Sequence, residues 1–252
     1  MKKILVLLLV VVLALSVAAC GGSKADEAKG TEVKGEGVMT YAEYAAAELD
    51  SAVVIETYVQ DKQSWWNDQA TLYTQDREGA YFIYNCACSQ ADYDKLVPGQ
   101  KIKVTGTKSE WSGEIEIVDA TLEIEDGNYI APVTNITSYL ASDNLIEHQN
   151  KFITAKGMTV VAIGQNDDGS DAAFFYGWDG SGQEGSDSDL YFKVSRDDIT
   201  YTFVVEYYLR NEETDVYKAV QNLQIGDKID IEGFLYWYEG MQPHVTSVTA
   251  AK

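Results

Sequence analysis

Seven aromatic side chains are candidates for non-covalent chemistry in this sequence. They fall in four short stretches with polar or glycine neighbours: Trp65 and Trp66; Trp111; Trp178; and Tyr236, Trp237 and Tyr238. Flat ring faces stack on sugars or nucleic-acid bases, and they also anchor protein interfaces. The alternative is that some of these rings only close the ends of the folded domains. Because Trp65 and Trp66 are adjacent, a strand would turn one ring toward the core and the other toward solvent.

An acidic, glycine-rich segment at residues 165–189, called the acidic segment below, is the second candidate site. Alternating acids and glycines can surround Ca²⁺ with carboxylate and carbonyl oxygens, although neither half of this segment fits the EF-hand spacing. The alternative is an acidic hairpin loop without a metal, and we expect no other cofactor. The candidate calcium ligands are Asp167, Asp171, Asp179, Asp187 and Asp189.

Catalytic motifs are not found in the chain. The sequence contains no Gly-x-Ser-x-Gly, His-Glu-x-x-His or P-loop pattern, and its two histidines are His148 and His244. Cys86 and Cys88 are two residues apart, which on a strand places both thiols on one face. We therefore predict two buried thiols and a protein that is not an enzyme.

The first twenty residues resemble the start of a bacterial lipoprotein precursor. Lys2 and Lys3 precede an apolar run at 4–15, and Val17-Ala18-Ala19-Cys20 follows as a lipobox-like sequence. The resemblance implies a signal peptide at 1–19, lipidation of Cys20 by acyl chains such as palmitate, and anchoring at the extracytoplasmic face of the cell membrane. Residues 20–37 are small and polar, so we predict that they form a disordered tether.

From residue 38 onward the amino-acid composition predicts β structure. Tyr, Val, Ile and Thr are frequent and are interrupted by Gly, which is typical of strands and turns. Thr40 with Glu43 three residues later predicts the capped start of a short helix. The predicted strands of the first half are 52–59, 71–74, 80–88, 101–107 and 114–124.

The second half repeats the first in register. Leu96-Val97-Pro98-Gly99 and the strand after it align with Leu223-Gln224-Ile225-Gly226 and its following strand, and Gly106 aligns with Gly233. The alignment continues without a gap through Trp111 and Tyr238. We therefore predict two copies of one domain, at 38–125 and 136–252, joined by a linker at 126–135.

This repeat resembles the OB-fold. Each copy is predicted to contain three strands, a short helix and two further strands. In the first copy the sequence L-x-x-G-x-x-I-x-V-x-G runs from the helix into the fourth strand. The resemblance implies a mainly β protein of two tandem five-stranded barrels, each with a helix between strands 3 and 4, as in tandem OB-fold lipoproteins of Gram-positive bacteria. OB-folds bind through the face of strands 2–3 and through neighbouring loops, where the candidate aromatics fall.

The net charge of the chain bears on which binding partners are predicted. The formal net charge is −21, and an acidic surface repels phosphate, so nucleic acid is predicted to be a poor partner. The favoured function is a membrane-anchored, non-catalytic binding module for a protein or an envelope glycan. The alternatives are a nucleic-acid-binding OB-fold protein and a calcium-stabilised structural spacer.

Overall fold

Alternating apolar residues in the first half of the chain form a closed barrel. The computed structural model describes residues 33–251, so the predictions for residues 1–19 and Cys20 lie outside the described residues. The barrel order is β1-β2-β3-β5-β4, and β3 and β5 are parallel. Its strands are β1 (Ala52–Lys62), β2 (Gln69–Gln75), β3 (Ala80–Ala87), β4 (Gln100–Trp111) and β5 (Glu114–Asn128).

Two short helices accompany this first barrel. Helix α1 (Tyr41–Ala46) is capped by Thr40. The Thr40 side chain accepts a hydrogen bond from the backbone of Glu43, and the Glu43 carboxylate accepts one from the backbone of Thr40, which confirms the predicted capping box. Helix α2 (Gln90–Tyr93) lies between β3 and β4, and Leu96 after it is fully buried in the barrel core. Cys86 and Cys88 are both buried and free.

The second half closes into a barrel of the same connectivity, which confirms the predicted fold class. The sheet order is β10-β11-β12-β14-β13-β7-β6, and β7 also pairs with β11, so the five central strands close on themselves. Strands β12 and β14 are parallel, as β3 and β5 are in the first barrel. The elements are β6 (Thr134–Asn135), a 3-10 helix (Asp143–His148), β7 (Phe152–Val161), β8 (Gly164–Gln165), β9 (Asp171–Ala172), β10 (Phe174–Tyr176), β11 (Leu190–Arg196), β12 (Ile199–Val205), α3 (Asp215–Gln221), β13 (Lys228–Phe234) and β14 (His244–Ala250).

The repeated glycines occupy equivalent bends. Gly106 lies where the pairing of β4 with β5 shifts register, and a Cβ there would lie 2.6 Å from Ile117 Cγ2. Gly233 lies at the matching shift between β13 and β14, where a Cβ would collide with the carbonyl oxygen of His244. Both positions let a strand coil sharply enough for a small barrel to close.

Two segments are more ordered than the sequence predicts. Strand β5 continues to Asn128 and so enters the segment predicted as linker. The acidic segment contains a small hairpin of β8 and β9, and β10 pairs with β11 at the sheet edge. The aromatic triplet Phe174–Tyr176 favours strand over loop, which explains this extra edge.

An aromatic cluster joins the two barrels within the compact unit Thr31–Lys252. Tyr73 and Phe82 of the first barrel pack with Phe234 and Leu209 of the second, and the rings of Tyr73 and Phe234 stack at 4.5 Å between centroids. The Tyr73 hydroxyl also lies 2.5 Å from Nδ1 of His244, with which it is hydrogen-bonded. The barrels therefore share a small core of their own.

Replacing Phe234 by Ala tests this shared core. Phe234 is 3% exposed, and truncating a buried phenylalanine costs roughly 3–5 kcal/mol of stability. We expect urea denaturation to show that loss, and Ile130→Ala, at a residue 56% exposed, to change stability by less than about 0.5 kcal/mol. Equal effects of the two substitutions would contradict the shared core.

Candidate binding groove between the barrels

A groove of about 1020 Å³ lies where the two barrels meet. One wall is the outer face of β2 and β3, which carries Thr71, Phe82 and Tyr84. The opposite wall is formed by the second barrel, with Tyr208 and Tyr236 among its residues. The face that OB-folds commonly use for ligands is thus turned toward the second barrel and forms one wall of a cleft.

Two tight turns place tryptophans at the rim of the groove. Trp66 pairs with Gln69 across Asn67 and Asp68, whose φ angles of 50° and 56° are left-handed. Trp111 pairs with Glu114 across Ser112 and Gly113, whose φ angles are 50° and 94°.

Two left-handed residues in succession form the tight hairpin turn that matches strand twist. The geometry therefore fixes the position from which each ring leaves its strand. Trp66 is 76% exposed and Trp111 is 59% exposed, so a large part of each residue is accessible to a ligand.

A backbone hydrogen bond joins the two barrels beside the groove. The amide of Ser64, in the loop before Trp66, donates a hydrogen bond of 2.7 Å to the carbonyl oxygen of Tyr208. Nearby, Arg210 forms an ion pair with Asp61. The first-to-second strand loop of one barrel is therefore tied to the second barrel.

Apart from its tyrosines, the ionisable groups lining the groove are acids and one histidine. Burial raises the pKa of Glu116, and burial with the nearby charge of Asp189 raises the pKa of Glu206 to about 8. Asp187 lies at the exposed edge. Burial lowers the pKa of His244 to about 3, so its imidazole is neutral at neutral pH. Carboxylates and amides thus supply most of the polar chemistry of the groove.

The structure separates the predicted aromatic residues. Trp66, Trp111 and Tyr236 line the groove. Trp65 turns inward, and its indole nitrogen donates a hydrogen bond to the carbonyl oxygen of Cys88 at 2.9 Å. Trp237 packs against the core of the second barrel, whereas Tyr238 and Trp178 are exposed and do not line the groove.

The five predicted calcium ligands are also separated. Asp187 lines the groove, while the Asp189 carboxylate accepts a hydrogen bond from the backbone of Tyr207. Asp167, Asp171 and Asp179 line another, open cavity beside the acidic segment. Within residues 33–251, no group of three or more His, Cys, Asp or Glu side chains is placed to hold a metal ion. The described chain therefore gives the calcium prediction no assembled set of ligands.

Several groove residues were not predicted. Tyr84 and Phe82 are two apart on β3, so strand periodicity was a signal that could have found them. Glu206 and Tyr208 follow β12, and Glu116 lies on β5, with no local pattern that marks them as a site. These residues reach the groove only because the barrels pack as they do.

A buried carboxylate lies beneath this arrangement. Glu114 Oε2 accepts hydrogen bonds from the Trp237 backbone nitrogen at 2.8 Å and from Gln149 Nε2 at 3.1 Å, and no described residue is a partner for Oε1. Burial is the main cause that raises the pKa of Glu114 to about 8. Glu114 is the strand partner of Trp111, so it links the base of the tryptophan hairpin to the second barrel.

Comparison with known proteins gives structural likeness only. No family model and no curated protein matches the chain. The solved structures that match include the Ifi202 HINa domain in complex with 20-base-pair double-stranded DNA, at 13% identity and a TM-score of 0.35 over 80% of this chain and 100% of that chain.

Two further solved structures have similar values. A murine DNA-binding protein bound to double-stranded DNA has 11% identity and a TM-score of 0.34, over 79% of this chain and 96% of that chain. The p204 HINb domain has 14% identity and a TM-score of 0.34, over 77% of this chain and 95% of that chain.

These structures correct one prediction. Two of them contain double-stranded DNA, which contradicts the prediction that nucleic acid is a poor partner. That prediction was wrong because it relied on the formal charge of the whole chain. Contacts to bases and phosphates are made by a small part of a surface, whose composition the total charge does not describe.

Replacing Glu114 by Gln is expected to change how stability depends on pH. The folded-state pKa of about 8 lies above the ordinary value of 4.5, so the folded protein keeps a proton that the unfolded chain loses between these values. The contribution of Glu114 to stability therefore falls as the pH rises from about 5 to about 8. The free energy of unfolding of E114Q should increase relative to that of the wild type by more than about 1 kcal/mol across this range, since one pKa unit is worth about 1.4 kcal/mol.

Urea denaturation at several pH values measures this gain. Glu110→Gln, at an exposed residue of the same hairpin, is the control and should show no such trend. A constant difference between E114Q and wild type at all pH values would show that Glu114 is not held as a neutral acid.

Proposed function

We propose that this protein is a non-catalytic binding protein that holds an oligosaccharide in the groove between its two barrels. The observation that carries the proposal is the set of exposed rings at the mouth of this groove, Trp66, Trp111 and Tyr84. Sugar rings present C–H faces that pack on aromatic rings, and a few polar groups then fix their orientation.

The polar groups of the groove suit a hydroxylated ligand. Gln63, Gln69 and Asn85 line the wall of the first barrel near Trp66. Amides both donate and accept hydrogen bonds, and carboxylates accept them, which matches the alternating donors and acceptors of sugar hydroxyls. The combination of flat rings and amides therefore supports an oligosaccharide.

Location and lack of catalysis are parts of the same proposal. The lipobox-like sequence before Cys20 supports a lipid anchor at the extracytoplasmic face of a membrane. Within the described residues, no helix is long and apolar enough to cross a membrane. The sequence motifs of common hydrolases are not found, which supports binding without cleavage.

A nucleic acid is the second candidate ligand. The same exposed rings of Trp66, Trp111 and Tyr84 could stack on bases, because every base has a flat face. The two ligand classes differ in whether hydroxylated rings or bases occupy these faces, so a direct comparison separates them.

Trp66→Ala and Trp111→Ala test the proposed groove. A glycan array followed by calorimetry on residues 31–252 should identify an oligosaccharide, and each substitution should weaken its binding by about tenfold or more, corresponding to about 1.4 kcal/mol. Trp178→Ala is the matched control, because this tryptophan is 77% exposed but does not line the groove.

The remaining outcomes are also decisive. Single- and double-stranded DNA should be tested with the same variants, and binding of DNA alone would replace the oligosaccharide with the second candidate. Equal binding by the Trp66 and Trp178 variants would remove the groove as the site. Release of shortened sugars during incubation would contradict the proposed absence of catalysis.

A further inference from the structure

We infer that the groove contains a subsite for an ammonium group, formed by Glu206 and Glu116 together with the aromatic rings around them, and that the ligand is therefore an amino sugar with a free amine. The inference rests on the proposed function, since it takes the groove between the barrels as the binding site. It adds the class of sugar and the residues that select it.

The groove has charge of a single sign. Glu116, Glu206 and Asp187 line it, and within the described chain none of its lining residues is Lys or Arg. His244, the remaining ionisable group with a basic nitrogen, is buried and neutral at neutral pH. A ligand therefore meets no competing cation of the protein. Because the pKa of Glu206 is raised to about 8, an ammonium group that pairs with it at neutral pH also favours release of its proton.

Two acids of the groove, Glu116 and Glu206, are shielded from water and have no basic partner among the described residues. Glu116 is 8% exposed, Glu206 is partly buried, and neither makes an ion pair with the described residues. One oxygen of Glu206 accepts a hydrogen bond from the backbone of Leu209 at 2.8 Å. A carboxylate removed from water without a cation is costly, so binding a cation there is favourable.

Two other buried acids have a basic partner, whereas Glu114 accepts hydrogen bonds from neutral groups only. Glu56 lies 2.7 Å from the amine of Lys101, and Asp76 lies 2.7 Å from that of Lys34. Glu116 and Glu206 differ from them because they face a cavity instead of a lysine. In the two ion pairs a lysine ammonium balances the carboxylate, and we infer that a ligand ammonium does so in the groove.

The neighbouring rings favour an organic cation. Tyr84, Tyr208 and Tyr236 line the same groove, and a cation is attracted to the face of an aromatic ring. A metal ion would need more ligands, and the described residues place no group of three acids or histidines together for one. A primary ammonium needs fewer fixed ligands, because its three N–H donors can be shared between carboxylates and amides.

A matched pair of sugars tests the subsite. Calorimetry at neutral pH should compare oligomers of glucosamine with N-acetylglucosamine oligomers of the same length, which are neutral at the same position. We expect the wild type to bind the free amine at least about tenfold more tightly, and added salt to reduce this preference because it screens the ion pair.

Glu206→Gln should remove most of this preference. The amide keeps the size of the side chain and can still accept the hydrogen bond from Leu209, so binding of the N-acetyl oligomer should be nearly unchanged. Glu184→Gln, at an exposed residue outside the groove, is the control and should keep the preference. Melting temperatures of both variants report whether the fold is intact, and Glu116→Gln provides a second test if Glu206→Gln does not fold.

The outcomes separate the two proposals. If both oligomers bind equally and Trp66→Ala weakens both, the groove remains the binding site and the ammonium subsite is wrong. If Glu206→Gln and Glu116→Gln both retain the full preference for the amine, the selecting charge lies elsewhere and the inference is also wrong. If neither oligomer binds at millimolar concentration, the proposed function falls and the inference falls with it.

Discussion

The contact of Tyr73 with Phe234 and His244 is the interaction on which the groove depends. It joins the outer face of the first barrel to the second through a stacked pair of rings and a hydrogen bond in a buried place. Each barrel has a complete core of its own, so neither needs this contact in order to close. The groove has walls from both barrels and exists only while they stay together. Residues such as Tyr73, which need not touch a ligand, therefore determine whether a site is present.

The local features of the fold could be predicted because each depends on neighbouring residues in the sequence. The capping box of Thr40 and Glu43, the bend at Gly106 and the opposite directions of Trp65 and Trp66 all follow from backbone geometry over a few positions. The repeat predicted the second barrel, because the same pattern of apolar residues and glycines at matching positions forms a similar structure. The edge strand β10 was not predicted, because its short aromatic run, Phe174–Tyr176, lies within a long acidic segment.

The site was only partly predictable for a different reason. Trp66 and Trp111 could be found from their place beside turns, but Glu206 and Tyr208 belong to the groove through the docking of two barrels, which no short-range pattern encodes. Glu114 shows the same limit, because no pattern around it in the sequence marks an acid that is completely buried in the folded protein.

The two tryptophan hairpins have a consequence for the entropy of binding. Asn67 with Asp68 and Ser112 with Gly113 hold left-handed turns that leave few alternative backbone conformations to the residues before them. A ring carried on such a turn loses little freedom when a ligand arrives, and ordering of loops is among the main costs of association. The groove is therefore preorganised at its rim, and much of the conformational loss on binding falls on the ligand. Stiff oligomers should therefore lose the least conformational entropy on binding, and flexible oligomers the most.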